Sequence, residues 1–150
     1  MKGILLKIFI AMELVIFSVI ANATPITSLF GTGLDLTGNP LTIGENDPHY
    51  TVNENGSAPA QALSNTGYLP NDSNSQWIWQ NTNGRPANVT RTFSTSFDLT
   101  EFDLSSVEVN GSWGADNQGL DILINGTSTG ISLLGVVASN YTTLTRMALT

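Results

Sequence analysis

Past residue 23, apolar residues alternate with polar ones over short stretches and nowhere sustain the three- and four-residue spacing of a long helix. The clearest run is Val89 to Leu99. Val89, Arg91, Phe93, Thr95, Phe97 and Leu99 fall on one face, and Thr90, Thr92, Ser94, Ser96 and Asp98 on the other. Period two is the mark of a half-buried strand with its polar side toward water. Val107, Val109, Gly111 and Trp113 make a second row. Leu120, Ile122 and Ile124 make a third, with Asp121 and Asn125 pointing away from it. Ile131 to Ala138 is more uniformly apolar and reads as a central strand. Weaker strand candidates are His49 to Val52, Gln61 to Leu63 and Trp77 to Trp79. On this reading Phe93, Phe97, Trp113, Ile122 and Ile124 are core.

Asn-Gly dipeptides punctuate these runs at 55–56, 83–84, 110–111 and 125–126. Asn-Gly favours positive φ at both central positions of a two-residue type I′ hairpin. Asn125-Gly126 fits best, because strand-like residues lie on both sides. Asn110-Gly111 falls inside a row, which predicts a bulge or kink. Asp35 to Pro48 is rich in Gly, Asn, Pro and Thr and reads as an ordered loop or a poorly formed edge. Short strands at this spacing predict an all-β fold, an antiparallel β-sandwich or jelly roll over residues 24–150.

The first 23 residues follow a different pattern. Met1 to Lys7 is short and basic, Ile8 to Ile20 is apolar, and Ala21-Asn22-Ala23 is an A-x-A cleavage site. The apolar run is short of the ~20 residues that span a bilayer. Glu13 inside it tells more against an uncleaved anchor than against a signal helix, which inserts only transiently. Residues 1–23 therefore read as a signal peptide, and the mature chain as secreted or periplasmic, with no membrane attachment after cleavage.

Charge narrows the partners. Charged residues are 11% of the 150, against roughly 25% in average globular chains. Trp77, Trp79, Phe93, Phe97, Phe102 and Trp113 argue against disorder, which needs few aromatics. Beyond residue 23 the only basic residues are Arg85, Arg91 and Arg146, so there is no basic stripe for nucleic acid or anionic lipid. A cation or a neutral polar ligand such as sugar is electrostatically easier. The absence of cysteine excludes disulfides, thiolate metal sites and cysteine nucleophiles.

Catalytic chemistry finds little to use. His49 is the single histidine, and no nucleophile-elbow pattern accompanies it. Carboxylates are plentiful, but nothing pairs two of them across a cleft as a glycosidase needs. Two binding constellations remain. Trp77 and Trp79 share one face if their segment is a strand, and could stack on sugar rings or fill the core. Asp116, Asn117 and Asp121 group hard oxygen donors within six residues, as a structural calcium site would, or as a polar turn bonding its own backbone would.

The run Trp113-Gly-Ala-Asp-Asn-Gln-Gly-Leu-Asp-Ile-Leu-Ile-Asn-Gly126 resembles a segment of bacterial exported proteins of the PEP-CTERM type. Leu29 to Gly33, Asp47 to Thr51, Trp77-Ile78 and Phe93 to Leu99 are similar to the same region in order and spacing. The resemblance implies a galactose-binding-like jelly roll, with no functional residue carried over. Members of that group continue past the position of Thr150 and end in a Pro-Glu-Pro sorting signal. Neither feature occurs here, so the resemblance implies either a sandwich incomplete at its C-terminus, as in a truncated or frameshifted product, or a variant that closes differently. The function expected is an exported, non-catalytic module for carbohydrate or surface polysaccharide. A structural or adhesive matrix protein is the alternative, and a secreted hydrolase a third.

The leader reading has a direct check. Intact-mass measurement on exported protein is expected to give a chain starting at Thr24. A full-length species in the membrane fraction would establish the anchor instead.

Overall fold

The computed structural model describes residues 24–53, 58–63 and 66–149, so the leader and Asn55-Gly56 lie outside it. The fold is all-β and antiparallel, with one short helix. In chain order the elements are β1 (Asn46–Val52), β2 (Ala58–Ala62), β3 (Ile78–Trp79), β4 (Phe93–Ser94), β5 (Val109–Trp113), β6 (Leu123–Ile124), β7 (Thr127–Ser128), α1 (Val137–Thr142) and β8 (Thr145–Leu149). They form a four-stranded sheet ordered β3-β2-β1-β4 and two separate pairs, β5-β8 and β6-β7. No helix of the described residues is long and apolar enough to cross a membrane.

Alternation predicted burial better than it predicted pairing. Along 91–99, Arg91, Phe93, Phe97 and Leu99 are half-buried while Thr92, Ser96 and Asp98 are exposed. Yet only Phe93 and Ser94 enter a ladder, opposite Val52 and Thr51. A polar–apolar rhythm records which side faces the protein, not whether a neighbouring backbone is within reach. The second row behaves as expected, since Val109, Gly111 and Trp113 turn inward and Asn110 and Ser112 outward. The bulge expected at Asn110-Gly111 does not form. β5 and β8 pair in unbroken register from Val109↔Leu149 to Trp113↔Thr145. Cε of Met147 opposite comes within 2.9 Å of where a Cβ on Gly111 would stand, so the end of that side chain lies over the glycine.

Two expectations are overturned. In the third row Leu120 and Ile124 are 54% and 41% exposed, and Asp121, expected to face out, is half-buried with Oδ1 enclosed and unpartnered. The row belongs to an outlying two-residue hairpin, not to a wide sheet with a layer above it. Its turn is as predicted: Asn125 and Gly126 have φ of 50° and 80°, positive at both positions. The central strand expected at Ile131 to Ala138 is also absent. Gly119 bridges Leu133, and the chain then enters α1. A short apolar run suits a strand or a helix equally well by periodicity.

The core is small. Val52, Ala60, Ala62, Leu34 and Leu133 are its buried apolar residues, joined by three buried polar ones, Asp47, Gln76 and Asn140. Phe93, Phe97 and Trp113, expected in the core, are half-buried. Trp79 of β3 and Phe93 of β4 come from opposite edges of the four-stranded sheet, yet their ring centroids are 5.9 Å apart. Arg91 Nε donates to Gln80 Oε1 beside them, so both edges are drawn together.

The stretch Asp35 to Pro48 is more ordered than a loop. Its first half is a turn around the Asp35 carboxylate, which accepts from Thr37 N–H at 2.8 Å, Thr37 O–H at 2.7 Å and Asn39 N–H at 2.9 Å. These donors, the Asn39 amide first, hold Asp35 down at about 2. Its second half enters β1, where Asp47 is 1% exposed. Asp47 Oδ2 accepts from Gly33 N–H at 2.6 Å and Oδ1 from His49 N–H at 2.8 Å. Gly33 has φ +71°, and a Cβ on it would meet Gln76 Cβ at 2.5 Å, so only glycine brings its N–H to that carboxylate. Gln76 closes the junction: its N–H donates to Thr32 O, and its Nε2 to Leu41 O.

Asp47→Ala should cost about 1–3 kcal/mol for each donor left buried without an acceptor. The denaturant midpoint should fall at unchanged slope. A loss inside the ±0.5 kcal/mol range of ordinary surface changes would overturn the structural role given to this carboxylate.

Candidate functional site

Three aromatic rings and one exposed carboxylate meet where β3, the loop after β5 and α1 converge. Tyr68 stands at the centre. Its ring is 5.1 Å from Trp77 in an edge-to-face arrangement and 5.0 Å from Tyr141, tilted. Its hydroxyl donates to Asp116 Oδ2. All three rings are half-buried and Asp116 is exposed, so the group opens onto the surface.

Each member is positioned by backbone contacts. Trp77 N–H donates to Asn71 Oδ1 and the indole Nε1–H to Leu69 O, both at 2.8 Å. Leu69 N–H in turn donates to Tyr141 O at 2.9 Å, which ties the segment before Trp77 to α1. The first residues after β5 pass under the indole. A Cβ on Gly114 would lie 3.0 Å from Trp77 Cη2 and 2.9 Å from Asn140 O, so this approach needs glycine. Asn140 is the clamp. Its side chain donates to Asn117 O at 2.8 Å and to Leu133 O at 3.1 Å, and its own carbonyl accepts from Ala115 N–H at 2.8 Å. With only six residues α1 adds little by itself; it serves to bring Asn140 and Tyr141 to the loop.

The Tyr68 phenol is pushed well above the usual tyrosine range, first by burial and then by the hydrogen bond and negative charge of Asp116. It is therefore a neutral O–H donor throughout the physiological range. The patch offers flat apolar ring area, the exposed Asp116 carboxylate as acceptor, and the exposed amides of Asn117 and Gln118.

The residues singled out from sequence divide between several places. Trp77, Asp116 and Asn117 come together here. Trp79 belongs to the separate contact with Phe93, its indole N–H buried without an acceptor. Asp116 Oδ2 and the Asn117 carbonyl are already taken by Tyr68 and Asn140. Among the described residues no three or more of His, Asp and Glu gather as they would around a metal ion. His49 lies elsewhere, its ring stacked on Phe30 at 3.8 Å and its Nε2 2.9 Å from Asp35 O.

Tyr68, Asn140 and Tyr141 escaped the sequence reading. Tyr68 and Asp116 are 48 positions apart, and no short-range pattern announces such a meeting. No family model, no curated protein and no solved structure matches this chain.

Asp116→Asn removes the charge that helps hold Tyr68 protonated but leaves its burial. The high-pH phenolate transition assigned to Tyr68 by Tyr68→Phe should move part of the way down toward free tyrosine. An unmoved transition in Asp116→Asn would mean that the bond is not made in solution.

Proposed function

We propose that the chain is an exported, non-catalytic binding module for neutral carbohydrate or surface polysaccharide. The observation that carries this reading is the convergence of Tyr68, Trp77 and Tyr141 on the Asp116 carboxylate. Pyranose rings present apolar C–H faces that pack on aromatic surface, and hydroxyls that need acceptors and donors. The patch supplies both kinds of contact. The formal net charge of −7 favours neutral over acidic sugars. The small antiparallel sheets are compatible with the β-sandwich, galactose-binding-like framework that the resemblance to exported PEP-CTERM-type proteins implies. The non-catalytic part of the reading is supported by His49, whose ring is stacked on Phe30 with Nε2 at the Asp35 carbonyl, and which meets the Asp47 carboxylate through its backbone N–H. An acidic chain with three scattered arginines past the leader is a poor partner for nucleic acid.

A structural or adhesive role is the second reading. It is favoured by Leu134, Val136 and Leu120, which are 56%, 73% and 54% exposed in the C-terminal third. Isolated exposed leucines are ordinary, whereas several near one another mark contact surfaces.

A glycan array probed with the exported protein separates the two. Binding to neutral oligosaccharides is expected, accompanied by a change in tryptophan fluorescence. Tyr141→Ala should weaken it about tenfold or more, the effect of losing one to a few kcal/mol of stacking. Absence of any glycan signal, together with concentration-dependent self-association in sedimentation, would replace this reading with the adhesive one.

A further inference from the structure

We propose that Asn125 is a site of spontaneous deamidation, set apart by the fold from the other described Asn-Gly pairs. The reaction needs three things at once: a free Asn side chain, a free N–H on the following residue, and a backbone able to bring them together. The Gly126 nitrogen attacks Cγ of Asn125 and forms the N–Cγ bond of a succinimide. The Cγ–N bond of the amide breaks, and ammonia leaves with the proton given up by Gly126. Water then opens the ring at either carbonyl, giving aspartate or isoaspartate. The net change is one water consumed and one ammonia released.

The structure treats the three described pairs differently. Asn83 is held by its side chain, since its Oδ1 accepts from Arg85 N–H at 3.0 Å, and Asn81 binds the same residue from both sides. Asn110 and Gly111 are held by their backbone, inside the unbroken β5-β8 ladder opposite Ala148 and Met147. Extended backbone carries Cγ away from the next nitrogen, and the ladder resists the rotation that would return it. Asn125 has neither restraint. It is exposed, its side chain makes no hydrogen bond among the described residues, and the Gly126 N–H has no backbone acceptor. Nothing would lie within 4 Å of a Cβ on Gly126, so no distant part of the fold is packed on the turn there. The strands that carry the turn are two residues each and lie outside the larger sheets, so local opening is easy there.

The product would not be silent. Isoaspartate runs the main chain through an added methylene, which a two-residue turn cannot hold in register. Either product adds a negative charge at the hairpin tip, beside the exposed Leu123 and Ile124.

The test is to age the folded full chain at mildly alkaline pH and to map the amide-to-acid mass gain by peptide mass spectrometry. Asn125 should convert several-fold faster than Asn83 or Asn110. In urea the three should converge, because their local Asn-Gly chemistry is the same. Asn125→Gln, whose longer side chain disfavours the five-membered ring, should remove the dominant acidic variant seen by ion exchange. Equal rates at the three sites in the folded chain, or an acidic variant that persists undiminished in Asn125→Gln, would overturn the proposal.

Discussion

A carboxylate enclosed by protein costs several kcal/mol unless donors replace the water it has lost. Asp47 is 1% exposed and obtains two of those donors from backbone, Gly33 N–H and His49 N–H. That requirement shapes the N-terminal part of the molecule. Gly33 must reach the carboxylate with a left-handed backbone, which carries the chain against Gln76. Thr32 and Leu41 are then placed to bond Gln76 in turn. The Asp47 charge, after burial, also raises the neighbouring Tyr50 phenol to about 12, keeping it a neutral donor to Phe30 O at 2.9 Å. One enclosed charge thereby fixes the positions of residues 30–35, 41, 47–50 and 76 relative to one another.

Apolar burial plays a lesser part than in most folds. The fully enclosed apolar side chains include two alanines and a valine, and the large aromatics stand half-buried at the margins. Burial contributes roughly in proportion to apolar area removed from water, so such a core gives each residue less than a leucine-rich one would. Cohesion falls correspondingly on directed bonds. Asn140 repeats the strategy of Asp47 at the other end of the fold: a buried polar side chain with backbone carbonyls as partners, fastening α1 to the two segments that meet at the Gly119–Leu133 bridge.

Sequence reading succeeded where structure is local. The Asn125-Gly126 turn, the inward faces of Arg91 to Leu99 and of Val109 to Trp113, and the absence of long helices among the described residues are all set by neighbours a few residues apart. It failed where the outcome depends on distant partners. Leu120 and Ile124 have the spacing of core residues, but no sheet lies over them. Asn110-Gly111 resembles a turn, but β8 straightens it. At the candidate site, Trp77, Asp116 and Asn117 were visible as residue types suited to ligands. Tyr68 and Tyr141 were not, because an edge-to-face ring cluster leaves no periodic trace in the chain.

The order of pairing in the sheets also bears on how the molecule assembles. In the four-stranded sheet only β1 and β2 pair across a short loop, from Val52 to Ala58, whereas β1 reaches β4 across all of the chain from Val52 to Phe93. β5 and β8 likewise enclose the whole of the intervening chain before Trp113 meets Thr145, and both of these closures have a larger entropic cost than the β1-β2 hairpin. Tyr141 and Asn140 lie inside the β5-β8 closure, while Tyr68 and Trp77 lie inside the β1-β4 closure. The ring cluster thus joins two long loops that are closed by different sheets. A molecule bound across it would hold the two loops together, so occupancy would stabilise both closures at once.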